Sequence, residues 1–98
     1  MNESSVLLHI WEIDASEEPA AVGRLEEMFT ELAKDDAFVS ARVLESPDRG
    51  SVAAIVEMRT AEDRRRLEAI PEVHETLEHL HGTANIVYRL YHEVALYT

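Results

Sequence analysis

The chain alternates short apolar runs with longer amphipathic ones. Val6-Leu7-Leu8-His9-Ile10-Trp11-Glu12-Ile13 is rich in β-branched and aromatic residues and reads as a strand. Its nearly continuous apolar character predicts that both faces are covered. Asp14 to Pro19 carries helix-start chemistry, with Asp and Ser as cap candidates, acids in the first turn and a proline tolerated there. Val22, Leu25, Met28, Phe29 and Leu32 follow at helical spacing, predicting an amphipathic helix to about Lys34. Phe38–Glu45 and Ser51–Arg59 read as two further strands. The turn formers Ser46-Pro47-Asp48-Arg49-Gly50 between them predict a hairpin. Thr60 to Asp63 reads as a capped helix start, with Asp63 in place of the usual capping-box Glu. Leu67, Ile70, Val73, Leu77 and Leu80 continue one apolar stripe, and Pro71 divides it into two helical pieces. His81-Gly82 reads as a glycine C-cap. Asn85 to Tyr97 then forms an apolar stretch of roughly 43 Å if fully extended, too long for its neighbours to pair. Either it bends into two strands, or its end crosses to a partner chain.

This order is strand, helix, strand, strand, helix, strand, the split β-α-β-β-α-β pattern of ferredoxin-like α+β folds. Two helices then cover one face of a four-stranded antiparallel sheet, leaving the other face open. Strands that are apolar on both faces need a cover that the chain does not itself supply. A two-fold homodimer with sheets packed face to face is the economical solution.

Composition narrows the function classes. The 98 residues suit a single domain over 1–98, and 20 acidic against 9 basic residues give a charge of −11. That balance opposes nucleic acid and anionic membrane surfaces as partners. With no cysteine, a disulfide scaffold, a thiolate metal site and a Cys nucleophile are excluded. Met1-Asn2-Glu3-Ser4-Ser5 lacks the positive start of a signal peptide, and no run approaches the roughly 20 apolar residues of a membrane span. A cytoplasmic protein is expected. The acids concentrate at Glu17-Glu18, Glu26-Glu27, Asp35-Asp36 and Glu62-Asp63, in the helices, and so read as a solubilising shell.

The opening strand Val6–Ile13, the hairpin Ala41-Arg42-Val43-Leu44…Val56-Glu57-Met58, the segment Ile70-Pro71-Glu72-Val73 and the closing Tyr88-Arg89-Leu90-Tyr91-His92-Glu93-Val94 together resemble the dimeric α+β-barrel superfamily. Within it, the chain most resembles the antibiotic-biosynthesis monooxygenase family. The resemblance covers almost the whole chain as a pattern of elements. It implies a dimeric α+β barrel and a small cofactor-free oxygenase acting on an aromatic or polyketide-type metabolite. A fainter similarity runs to lactone-handling isomerases of the same superfamily. The family's frequent Trp after the third strand is Met58 here. The Asn, Trp and His of its haem-degrading branch fall at His9, Leu67 and Leu77, so the resemblance does not extend to haem oxygenation.

His9 and Trp11 share a strand face. A neutral imidazole beside an indole can line an aromatic pocket, with His9 as general base for a phenol or an acidic C–H. The same pair serves equally as hydrogen-bonded core and plain packing. Arg42 and Tyr88 are the candidates for steadying oxyanion charge, though Arg42 also suits cross-strand pairing with Glu57 or Glu93. Trp11, Met58, Leu67 and His74 are the candidate substrate-lining residues. His74, Glu78 and His81 share a helix face, but positions seven apart lie about 10 Å apart by rise alone, too far for one ion. No metal site is therefore expected. Arg64-Arg65-Arg66 reads as a solvated face with local ion pairs. The readings are thus a cofactor-free monooxygenase-like enzyme, a lactone or enol isomerase using His9 or His74, and a non-catalytic dimeric binding module.

Overall fold

The computed structural model describes residues 5–48, 50–83 and 85–98, with Thr83 described only in its backbone. Arg49 of the expected turn and the Met1–Ser4 start lie outside the described residues. In chain order the elements are β1 (Ser5–Glu12), α1 (Glu18–Leu32), β2 (Phe38–Glu45), β3 (Ser51–Met58), α2 (Ala61–Glu68), α3 (Pro71–Thr83) and β4 (Asn85–His92). The sheet is four-stranded in the order β2-β3-β1-β4, with every neighbouring pair antiparallel. This is the expected ferredoxin-like α+β arrangement, with the second helix divided at Pro71. Pro71 takes the first helical position, where its missing N–H costs nothing.

Strand pleating sorts the side chains. Ser5, Leu7, His9 and Trp11 of β1 and Val52, Ala54, Val56 and Met58 of β3 are buried beneath the helices. The helices contribute Ala21, Leu25, Met28, Leu32, Leu67, Val73 and Leu80 to the same core. Val6, Leu8 and Ile10 point to the other face and remain only half-buried. The apolar run in β1 is therefore covered on one face within the chain, and no element among the described residues covers the other. Exposed Leu44, Val87 and Tyr91 continue the uncovered surface.

Several local details differ from the sequence expectation. The first helix has Glu17 at its cap position with no side-chain cap. Backbone N–H groups of Glu17 and Glu18 instead donate to the Asp14 carbonyl. Thr60 does cap α2: its Oγ1 accepts from the Asp63 N–H at 3.0 Å. The hairpin closes through Asp48, whose carboxylate accepts from Gly50 N–H and Ser46 Oγ. Gly82 lies within α3 rather than beyond its end, and a Cβ there would meet nothing within 4 Å. The last strand stops at His92, and residues 93–98 continue without regular structure. Arg66 reaches from α2 to the turn after α1, making two 3.0 Å bonds to Asp35. Those bonds hold the Asp35 carboxyl down at about 2.

Candidate functional site

The helices lie over β1 to β3 and leave β4 largely bare. Tyr88 and Leu90, which share the helix-side face with His9 and Leu7, stay 39% and 45% exposed. The chemistry-bearing side chains gather along the border between the covered and bare parts of this face.

His9 sits at the centre of β1, between Ala54 on one neighbour and Tyr88 on the other. It is 2% exposed. Its ring stacks on Trp11 at 4.9 Å between centroids and meets the Tyr88 ring edge-on at 4.8 Å. His81, near the end of α3, stacks more distantly at 6.2 Å. A void of about 20 Å³ lies beside His9, lined also by Trp11, Ala54, Met58, Glu68 and Leu77. That holds about one water, far less than an aromatic ring system.

Arg64 departs from the sequence expectation. Within a run of three arginines it reads as part of a solvated basic face, yet it is buried (9% exposed). One guanidinium nitrogen donates to Glu68 at 2.8 Å and to the Tyr88 hydroxyl oxygen at 3.1 Å. The spacing carries a signal for this placement. Arg64, Leu67 and Glu68 fall at i, i+3 and i+4, so they share the helix face that Leu67 anchors in the core. Arg65 and Arg66 remain exposed.

The remaining candidates divide. Met58 is buried against the void and Leu67 lies in the core under α2, so both share the layer of His9. Arg42 does not. It stands opposite Ile55 on the outer face of the sheet, because strand alternation sends it away from the neighbours of Ala54. His74 is also outside the cluster: it is exposed on α3 and 3.6 Å from the Glu78 carboxylate. No group of three metal-capable side chains converges among the described residues.

Burial dominates the electrostatics. It pushes the His9 imidazole down from 6.5 to about 4, and His81 and the Arg64 guanidinium add to the effect. His9 is therefore neutral at physiological pH. Burial pushes the Glu68 carboxyl up, opposed by Arg64. It also pushes the Tyr88 phenol up, with Glu68 adding to the shift, so Tyr88 keeps its proton. His9 Nδ1, Trp11 Nε1 and Arg64 Nε are buried with no hydrogen-bond partner.

Acid should therefore weaken the fold through His9. Below pH 6.5 the unfolded chain takes a proton on His9 that the folded chain refuses until about pH 4. Stability from this residue is intact above pH 6.5 and is lost as pH falls through that window, by up to about 3 kcal/mol. Urea denaturation at stepped pH should show this slope, and His9→Asn should flatten it. An unchanged slope in the variant would assign the dependence elsewhere.

Comparison of folds supplies the decisive likeness. SnoaB, a cofactor-independent oxygenase from Streptomyces nogalater, superposes with a TM-score of 0.78 at 18% identity, over 96% of each chain. A structure of an antibiotic biosynthesis monooxygenase matches with a TM-score of 0.81 at 8% identity, over 93% of this chain and 99% of that one. This chain has the ferredoxin-like α+β fold of the antibiotic-biosynthesis monooxygenases. Rv0793 from Mycobacterium tuberculosis shares it as well, with a TM-score of 0.86 at 12% identity, over 98% of this chain and all of that one. No protein-family model and no curated protein matches the sequence. The chain is thus similar to the monooxygenases in backbone. No helix among the described residues is long and apolar enough to cross a membrane.

Proposed function

We propose that the protein is a cofactor-independent, monooxygenase-like enzyme acting on an aromatic or polyketide-type small molecule. One observation supports this reading most. A buried, neutral His9 meets the Tyr88 ring edge-on, and the Tyr88 hydroxyl is bonded to the buried Arg64. A neutral imidazole is a base, and the paired hydroxyl and guanidinium are oxyanion donors on the same border. His9 takes a proton from a phenol or an activated ring CH₂, and Tyr88 with Arg64 steadies the resulting anion. That electron-rich anion is the species able to reduce O₂. One oxygen atom becomes the new ring carbonyl, and the other leaves as water with the two hydrogens of the CH₂. The substrate supplies all the electrons, so no cofactor is called for.

An imidazole of pKa about 4 is a weak base towards such a substrate. The substrate's own anion, once formed beside His9, favours the imidazolium and reduces that mismatch. Trp11 and Met58 contribute apolar lining. Leu67 holds α2 in place, and His74 and Arg42 have no part in this arrangement.

The test is oxygen uptake with an anthrone-type tricyclic phenol, using ¹⁸O₂ to follow label into the ring carbonyl. Incorporation of one labelled atom per turnover supports the reading. A specific observation favours the non-catalytic alternative: the void beside His9 holds about one water (≈ 20 Å³). Failure of phenolic ring systems of every size to react or bind would leave that alternative standing.

The working unit in this reading is a homodimer. The uncovered sheet face presents Leu44, Val87 and Tyr91, and Val94, Leu96 and Tyr97 lie exposed beyond β4. Light scattering at micromolar concentration should give about twice the 11.1 kDa chain mass, and a value of one chain mass would refute the dimer.

A further inference from the structure

Outside the His9 cluster, the helix layer carries a cleft of about 720 Å³ between α1 and α3, open to solvent. It runs on into a second cleft of about 610 Å³, with which it shares Glu31, Glu72 and Val73. Buried Met28, Leu32 and Val73 form the floor. Exposed Glu26, Glu27 and Glu31 stand along the α1 rim and Glu72 on the α3 rim, with Arg24 at one end. Lys34 is bonded to Glu31 at 3.1 Å, while among the described residues no cation pairs with Glu26, Glu27 or Glu72. Gly23 points the same way independently of charge. It lines the cleft from the interior of α1, although only proline is a poorer helix former than glycine. A Cβ there would meet nothing within 4 Å, so no close approach inside the chain calls for the glycine. Glycine lets another backbone come near, and the space left here is open to a backbone from outside the chain.

We propose that this cleft docks an amphipathic, lysine- or arginine-rich helix of another protein, its apolar side over Met28 and Val73 and its cations beside Glu26, Glu27 and Glu72. Amphipathic helices seat in grooves through apolar anchors at i, i+3 or i+4, and i+7. From Gly23 to Leu32 the α1 side spans about 14 Å, room for about two to three turns of a partner helix. A second copy of this chain is a poorer occupant, because each copy carries a charge of −11 and like charges would meet across the contact. Nucleic acid and anionic membrane are opposed for the same reason. None of these residues belongs to the open sheet face or to the Tyr88 border, so the inference stands apart from the enzyme and dimer readings.

The probe is a fluorescein-labelled helical peptide of leucine and lysine, with the leucines at helical spacing, and its control is a scrambled peptide of the same composition. Fluorescence anisotropy with the full chain should show the patterned peptide binding more tightly than the scrambled one, and more weakly as salt rises. Gly23→Leu fills the cleft and should weaken binding about tenfold or more by excluding the partner's backbone. Its thermal midpoint should hold or rise, since leucine is the better helix former. The triple change Glu26→Gln, Glu27→Gln and Glu72→Gln should also weaken binding about tenfold, through lost rim charge. Changing Glu45, Glu75 and Glu78 to Gln removes the same charge elsewhere and should shift binding less than about twofold. Backbone amide shifts in a ¹⁵N-correlated NMR titration should map to α1 and α3. The proposal is overturned if the scrambled peptide binds as tightly, if the two triple variants weaken binding equally, or if Gly23→Leu folds and binds unchanged. Shifts confined to the sheet face, or loss of the dimer mass in Gly23→Leu, would overturn it as well, the latter by seating a second copy in the cleft.

Discussion

Replacing His9 by Asn should lower turnover of an accepted phenolic substrate about 10²- to 10⁴-fold, the usual contribution of a positioned general base. Asn is chosen because it fits beneath the helices and retains hydrogen-bonding atoms, yet cannot accept a proton at neutral pH. The loss should fall on kcat more than on KM, since Trp11, Tyr88 and Arg64, which would hold the ring and its oxygen, remain in place. Because His9 is already neutral in the folded chain, the variant alters no charge above pH 6.5, and the proposed dimer should form as it does for the unaltered chain. Oxygen uptake, circular dichroism and light scattering on one preparation check all three points. A variant that folds, dimerises and turns over at the wild-type rate would remove His9 from the chemistry.

Trp11→Ala should destabilise the fold by about 3–5 kcal/mol, the range for truncating a large buried aromatic. Trp11 is the largest of the fully buried side chains and is 1% exposed. It lies on the inner strand β1, opposite Val52 on one side and Ile86 on the other, so neither neighbouring strand can close the gap by moving alone. For a small domain with a total of about 5–15 kcal/mol, that is about a fifth of the stability or more. Trp11→Phe should cost much less than Trp11→Ala. It keeps an aromatic ring against His9 and removes a buried indole N–H that has no hydrogen-bond partner. Urea midpoints followed by circular dichroism measure both variants. A loss below about 1 kcal/mol in Trp11→Ala would mean that the strands collapse around the site and that the core is less rigid than its burial implies.

The pairing of His9 with Trp11 is legible in the sequence because strand periodicity is strict: positions two apart must share a face. The same rule groups Tyr88 with Ile86, Leu90 and His92, and the register sets Tyr88 directly beside His9. Arg42 escapes the rule because periodicity orders the residues within one strand without saying which face meets the helices. Arg64 escapes for a related reason. A run of three arginines looks solvated when counted by composition, although one lies on the stripe carrying Leu67. His74 and His81 show the same limit on α3: they share a helix face in the sequence, and in the fold His81 meets His9 while His74 lies beside Glu78.

The order of elements, the division of the second helix at Pro71, the cap at Thr60 and the sharing of a face by His9 and Trp11 are all written in the linear chain. These depend on local sterics, capping and side-chain alternation, which operate over a few residues. Other features arise only once distant segments pack. These are the place of β4 beside β1 with its helix-side face bare, the burial of Arg64 against Glu68 and Tyr88, and the void of about 20 Å³ beside His9. They depend on strand order, helix placement and the fit of side chains brought together from across the chain. They are set by which packing buries the most apolar surface with the fewest unmet polar groups, a choice made by the whole chain at once.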